Sequence, residues 1–141
     1  MAAIRFPASA VPLLPLCKGH GENYIFRTYA DMIVFLVSFG FHRHNVEGAP
    51  LRERFTYVDA PNPIPFDVFE NRGAVSVFLM IALASDGTIA KAEDESGLIL
   101  LIERLADLGA TVLLKQKHSD VSWTEMLCTE LCANHADQTK I

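Results

Sequence analysis

The sequence predicts a mostly α fold: a small single-domain helical protein with a proline-rich central loop and one or two short strands. Apolar residues recur at helical spacing in two long windows, capping residues and glycines bracket those windows, and four prolines gather between them. The 141 residues are 50% hydrophobic and 21% charged. That is enough apolar material to build one core without a metal or disulfide framework.

From Ala2 to Asn23 the chain is rich in Pro, Gly and Ala and has no helical period. Residues 1–23 are therefore expected to form an extended arm or a strapped-down terminus whose leucines can still pack. Pro7, Pro12 and Pro15 interrupt the apolar run that an export signal would need. A single helical domain is expected over 24–135 and a polar tail over 136–141.

Thr28 followed by Asp31 matches a variant capping box, and Tyr29, Met32, Ile33, Leu36, Val37 and Phe39 continue at helical spacing up to Gly40. This predicts a helix over Tyr29 to Phe39. Pro50, Pro61, Pro63 and Pro65 then favour loop, with Phe55 to Val58 as a brief strand and Phe66 to Glu70 as one helical turn after Pro65. The run Val75 to Ala84 is apolar almost all round. Its length, Met80 and its alanines favour helix over strand, and Asp86-Gly87 marks a turn after it.

Glu93, Asp94 and Glu95 complement the positive end of a helix whose stripe is Leu98, Leu101, Ile102, Leu105 and Leu108, with Gly109 as its expected end. Ala110 to Leu114 reads as a short strand or a further helical piece. Ser122 and Glu125 form a second capping box, opening a last helix to about Ala133.

The net charge of −5 disfavours autonomous binding to DNA, where Lys and Arg supply most of the affinity, although a local basic patch can still act. His42, Arg43, His44, Arg52 and Arg54 are the densest basic neighbourhood and the candidate contact for DNA or a partner, expected in the loop region after the first helix. Trp123, Met126, Leu127 and Leu131 are candidate interface residues, because Trp and Met commonly anchor interfaces; packing on the domain's own core is the simpler alternative.

Cys17, Cys128 and Cys132 read as free thiols of a reducing compartment. Cys128, Cys132 and His135 share a helical face, but only the isolated His118 could join them, so they read as core cysteines rather than as a metal site. Asp67 and Glu70 lack a placed partner that would define a reaction. No catalytic residues, metal or cofactor are predicted. The longest apolar stretches are about half of the roughly twenty residues that a membrane-spanning helix needs.

Certain stretches, taken in order, carry a family resemblance: Phe26-Arg27-Thr28-Tyr29-Ala30-Asp31-Met32 leading to Ser38-Phe39-Gly40-Phe41, Ala49-Pro50-Leu51, Pro63-Ile64-Pro65-Phe66, Met80-Ile81-Ala82-Leu83-Ala84, and Leu101 to Gly109. Over roughly Tyr24 to Leu114 the chain resembles the family called DNA phosphorothioation-associated protein 4. Members are encoded beside bacterial systems that replace a non-bridging phosphate oxygen of DNA with sulfur and restrict DNA lacking the mark. The resemblance implies a cytoplasmic accessory component of modification or anti-phage defence, with other proteins of that complex as partners. A homo-oligomer is compatible with the hydrophobic content. The alternatives are a module recognising modified or nicked DNA through the basic patch, and a small metal-dependent nuclease using Asp67 or Glu70.

Overall fold

The computed structural model describes residues 3–19, 24–86, 95–117 and 122–128. Its elements are β1 (Ala3–Ile4), a 3-10 helix (Ala8–Leu16), α1 (Tyr29–Glu47), β2 (Ile64–Pro65), α2 (Phe66–Asn71), α3 (Ala74–Asp86) and α4 (Glu95–Gln116). The fold is mostly helical, as its patterning predicts. Among the described residues one small sheet pairs β1 with β2 antiparallel, Ala3 opposite Pro65 and Ile4 opposite Ile64.

Helix α1 begins where its cap places it: the Thr28 side chain accepts from the Asp31 N–H at 3.1 Å. It does not end at Gly40. The helix runs through that glycine to Glu47 and stops at Gly48, whose left-handed φ of 72° suits a residue without a Cβ. Gly109 likewise lies inside α4, which continues to Gln116 and takes up the Ala110 to Leu114 piece as helix.

Both glycines serve the packing of α1 on α4. A Cβ on Gly40 would collide with the Leu105 carbonyl oxygen, and one on Gly109 with that of Leu36. The pairing of 36 with 109 and of 40 with 105 means that the two helices run in opposite senses at their crossing. Backbone meets backbone there. Such an approach admits close Cα–H···O contacts and only a hydrogen as the intervening side chain.

Met32, Ile33, Leu36 and Val37 of α1 and Leu98, Ile102, Leu105 and Leu113 of α4 are all buried in one hydrophobic core. Phe69 of α2 and Phe78 of α3 close one side with ring centroids 5.4 Å apart. The first residues are integral to this core: Ile4, Phe6, Leu13 and Leu16 are buried, and Phe6 meets Tyr29 edge to face at 5.6 Å. The expected arm is thus of the strapped-down kind, and over 8–16 it is wound rather than extended. Pro12 and Pro15 sit inside a 3-10 helix, which tolerates them better than a long α-helix because few of its amides are needed as donors.

The expected strand at Phe55 to Val58 is a single antiparallel bridge, Pro7 with Tyr57, flanked by Ala8 N–H to Thr56 O at 2.9 Å and Val58 N–H to Phe6 O at 3.1 Å. The turn after Pro65 and the helix after Ala74 form as expected. Residues 123–128 are helical, and the Glu125 N–H donates to the Ser122 hydroxyl at 3.1 Å. The turn at Gly87, the acidic pair Glu93 and Asp94, and the last helix beyond 128 lie outside the described residues.

Candidate functional site

The most concentrated polar chemistry lies inside α4. Glu103 and Asp107 are four residues apart, which puts them one above the other on a single helix face. Both side chains are at most 1% exposed. A carboxylate withdrawn from water this far is destabilising unless it is paired and hydrogen-bonded.

The start of the chain and the proline-rich loop supply those partners. Arg5, beside β1, forks onto Glu103: Nε donates to Oε2 at 3.0 Å and Nη2 to Oε1 at 2.9 Å, while its backbone N–H donates to Oε2 at 2.8 Å. The Tyr57 hydroxyl adds a bond to Oε1 at 3.1 Å, and the Arg5 guanidinium lies 3.7 Å from the centre of that tyrosine's ring. One turn further along, Arg52 forks onto Asp107, with Nε to Oδ2 at 2.9 Å and Nη2 to Oδ1. The Ser9 hydroxyl donates to Oδ1 at 2.7 Å. The bridge between Pro7 and Tyr57 fixes the two supplying segments side by side, so both forks reach one helix face.

The electrostatics follow from these bonds. Hydrogen bonding to Glu103 raises the Arg5 pKa, and hydrogen bonding to Asp107 raises that of Arg52. Desolvation, with the Glu103 charge second, raises that of Tyr57. Each guanidinium remains about half exposed, at 49% for Arg5 and 53% for Arg52, so the two ion pairs have a dry carboxylate end and a wet cationic end. The paired carboxylates are held as acceptors by rigid forks.

The predicted basic neighbourhood is split by the fold. His42, Arg43 and His44 lie on the last turns of α1, not in the loop, and only Arg52 and Arg54 are loop residues. Arg43 pairs with Glu47 at 2.5 Å, His44 Nδ1 lies 2.6 Å from the Ala49 carbonyl oxygen, and Arg52 is committed to Asp107. His42 and Arg54 are exposed.

Of the predicted interface residues, Met126 and Leu127 are buried in the domain's own core and Trp123 packs against it, with Lys117 Nζ 5.5 Å from its ring centre. Leu131 lies outside the described residues. Cys128 is exposed, correcting its reading as a core residue; Cys132, His135 and His118 lie outside the described residues. Asp67 and Glu70 are exposed on α2. Among the described residues no three His, Cys, Asp or Glu side chains are gathered as metal ligands, and no helix is long and apolar enough to cross a membrane.

Arg5, Ser9, Tyr57, Glu103 and Asp107 are not marked as a group by any sequence motif. One signal was present: two carboxylates at i and i+4 inside a helix whose neighbours on either side are Ile102, Leu105, Ala106 and Leu108. Such a pair must either face solvent or find cations, and the cations come from about fifty and a hundred positions away.

The family model described as DNA sulphur modification system-associated protein 4 matches residues 3–141. It therefore takes in Arg5 and Arg52 as well as the helix that carries their carboxylates. No curated protein and no solved structure matches the chain.

Proposed function

The chain belongs to the DNA sulphur modification system-associated protein 4 family, and on that premise we propose that it is a non-catalytic accessory component of a bacterial DNA phosphorothioation modification or restriction system. It acts in the cytoplasm, in anti-phage defence, by binding another protein of that system. The observation that carries the partner-binding reading is the outer face of α3. Val77, Met80 and Leu83 are 40%, 69% and 39% exposed, and Asp86 is the only charged residue in the helix.

Their spacing of three residues aligns them in one stripe. Contiguous exposed apolar surface of this kind marks interaction sites on soluble domains, and methionine adapts to the shape of a partner. An α3-like apolar helix face on the partner is the complement that such an uncharged stripe accepts.

The split of the basic neighbourhood favours this reading over direct DNA recognition, because Arg43 and Arg52 already neutralise the chain's own carboxylates. Co-expression with the neighbouring modification and restriction genes tests it. The tagged wild-type protein should retain at least one of their products through purification, and Met80→Asp should release it while leaving the circular dichroism spectrum unchanged. Retention by Met80→Asp as strong as wild type removes α3 from the reading, and a wild-type protein that retains none of the products overturns the accessory role. Conversion of a wild-type dimer into a monomer by the same substitution assigns the stripe to a second copy of the chain.

A further inference from the structure

A cleft of about 510 Å³ lies beside the Arg52–Asp107 pair, walled by Ala8 and Ser9 of the 3-10 helix, Arg52 and Thr56 of the loop, and Thr111, Leu114 and Lys115 of α4. The α4 residues are spaced i, i+3 and i+4, so the cleft opens on the side of the helix rather than on its carbonyl end. Three hydroxyls and two cations therefore converge from three segments, and among the described residues its walls include no carboxylate.

Two features of the cleft remain unexplained by the fold. The Thr111 hydroxyl oxygen is buried and has no hydrogen-bond partner among the described residues. A buried hydroxyl left unsatisfied is destabilising, so such a group calls for a partner beyond those the described residues supply. Lys115, whose side chain is exposed, pairs with no carboxylate among the described residues. The Arg52 charge is matched by Asp107, which leaves the Lys115 charge as the surplus at the cleft among the described residues. Hydroxyl donors around a surplus positive charge suit an oxyanion with several acceptor oxygens.

We propose that this cleft is a binding site for a phosphate group, with Lys115 supplying the charge and Thr111 and Thr56 donating hydrogen bonds to its oxygens. Arg52 forms the wall and stays anchored by Asp107. The inference does not depend on the α3 stripe, since the two surfaces share no residue.

The test is a titration of the full chain with inorganic phosphate at constant ionic strength, followed by amide chemical shifts in NMR. Saturable shifts should cluster at residues 8–9, 56 and 111–115. Lys115→Gln should weaken binding about tenfold, as expected for loss of one charge-assisted hydrogen bond. Thr111→Val should weaken it several-fold without lowering the Tm, because valine keeps the shape and removes the orphaned hydroxyl. Absence of saturable shifts at these positions overturns the proposal, and so does binding that neither substitution alters. A parallel titration with a short DNA duplex identifies the source of the phosphate: shifts of the same residues with the same sensitivity assign it to a nucleic-acid backbone, and binding of inorganic phosphate alone assigns it to a small molecule.

Discussion

Arg5 and Arg43 each hold a carboxylate, yet their removal should have unequal consequences. Arg5→Met would leave Glu103 buried with Tyr57 and a backbone N–H as its partners among the described residues. A loss of about 2–3 kcal/mol is expected, below the usual range for a fully buried pair because water already reaches the outer half of the guanidinium. Arg43→Met breaks a pair one turn apart on α1 whose Glu47 is half exposed, and should change stability by less than about 0.5 kcal/mol. Urea unfolding of both variants at neutral pH measures the contrast, and equal losses would show that the burial of Glu103 is not what matters. Cys17 gives a prediction in pH. Burial, with the nearby Asp31 charge second, pushes its thiol from 9.0 up to about 11, so the folded state favours the neutral form. That contribution is complete below the unfolded value and is lost as pH rises from about 9 through about 11. Tyr57 is shifted in the same direction. The thiol's share is therefore the difference in slope of stability against pH between wild type and Cys17→Ala, with the wild type falling more steeply over that window.

Among the elements, the crossing of α1 and α4 makes the sharpest claim. Alanine is preferred to glycine inside a helix by about 1 kcal/mol, so propensity alone says that Gly40→Ala and Gly109→Ala stabilise. Packing says the opposite, because each new methyl would occupy the space of a carbonyl oxygen on the facing helix. The helices would have to separate along their most buried stretch, and overpacking of this kind usually costs about 1–3 kcal/mol or more. Both variants should melt well below wild type. Gly48→Ala, at the end of α1 with open space around it, should lose only the strain of its positive φ, about 1 kcal/mol. A higher melting temperature for Gly40→Ala than for wild type would mean that the helices are not in backbone contact. The same crossing explains why both helices extend past the glycines that their patterning offers as ends: a glycine at the end of a helical period looks alike whether it terminates a helix or admits a neighbour.

For the molecule as a whole, the first residues are a structural partner of the longest helix. They place Ile4, Phe6, Leu13 and Leu16 in the core and bring Arg5 and Ser9 to Glu103 and Asp107. A chain beginning at residue 24 would expose the apolar surface beneath them, strip Glu103 of Arg5 and Asp107 of Ser9, and should fail to fold cooperatively. Circular dichroism melting of that truncation decides the point: a sharp transition near the wild-type temperature would show the segment to be a dispensable arm.

The features legible in the sequence are local. The helical class, the Thr28 and Ser122 caps, the turn after Pro65 and the helical nature of the run around Met80 follow from periodicity and from side chains acting on backbone within four residues, and they are found where those signals put them. The roles of Gly40 and Gly109, the separation of His42, Arg43 and His44 from Arg52 and Arg54, and the burial of Glu103 and Asp107 come from long-range packing. Each of these depends on which distant segment lies opposite. A carboxylate in a helix can face water or a guanidinium from the other end of the chain, and the intrinsic preferences of its neighbours are the same in both cases.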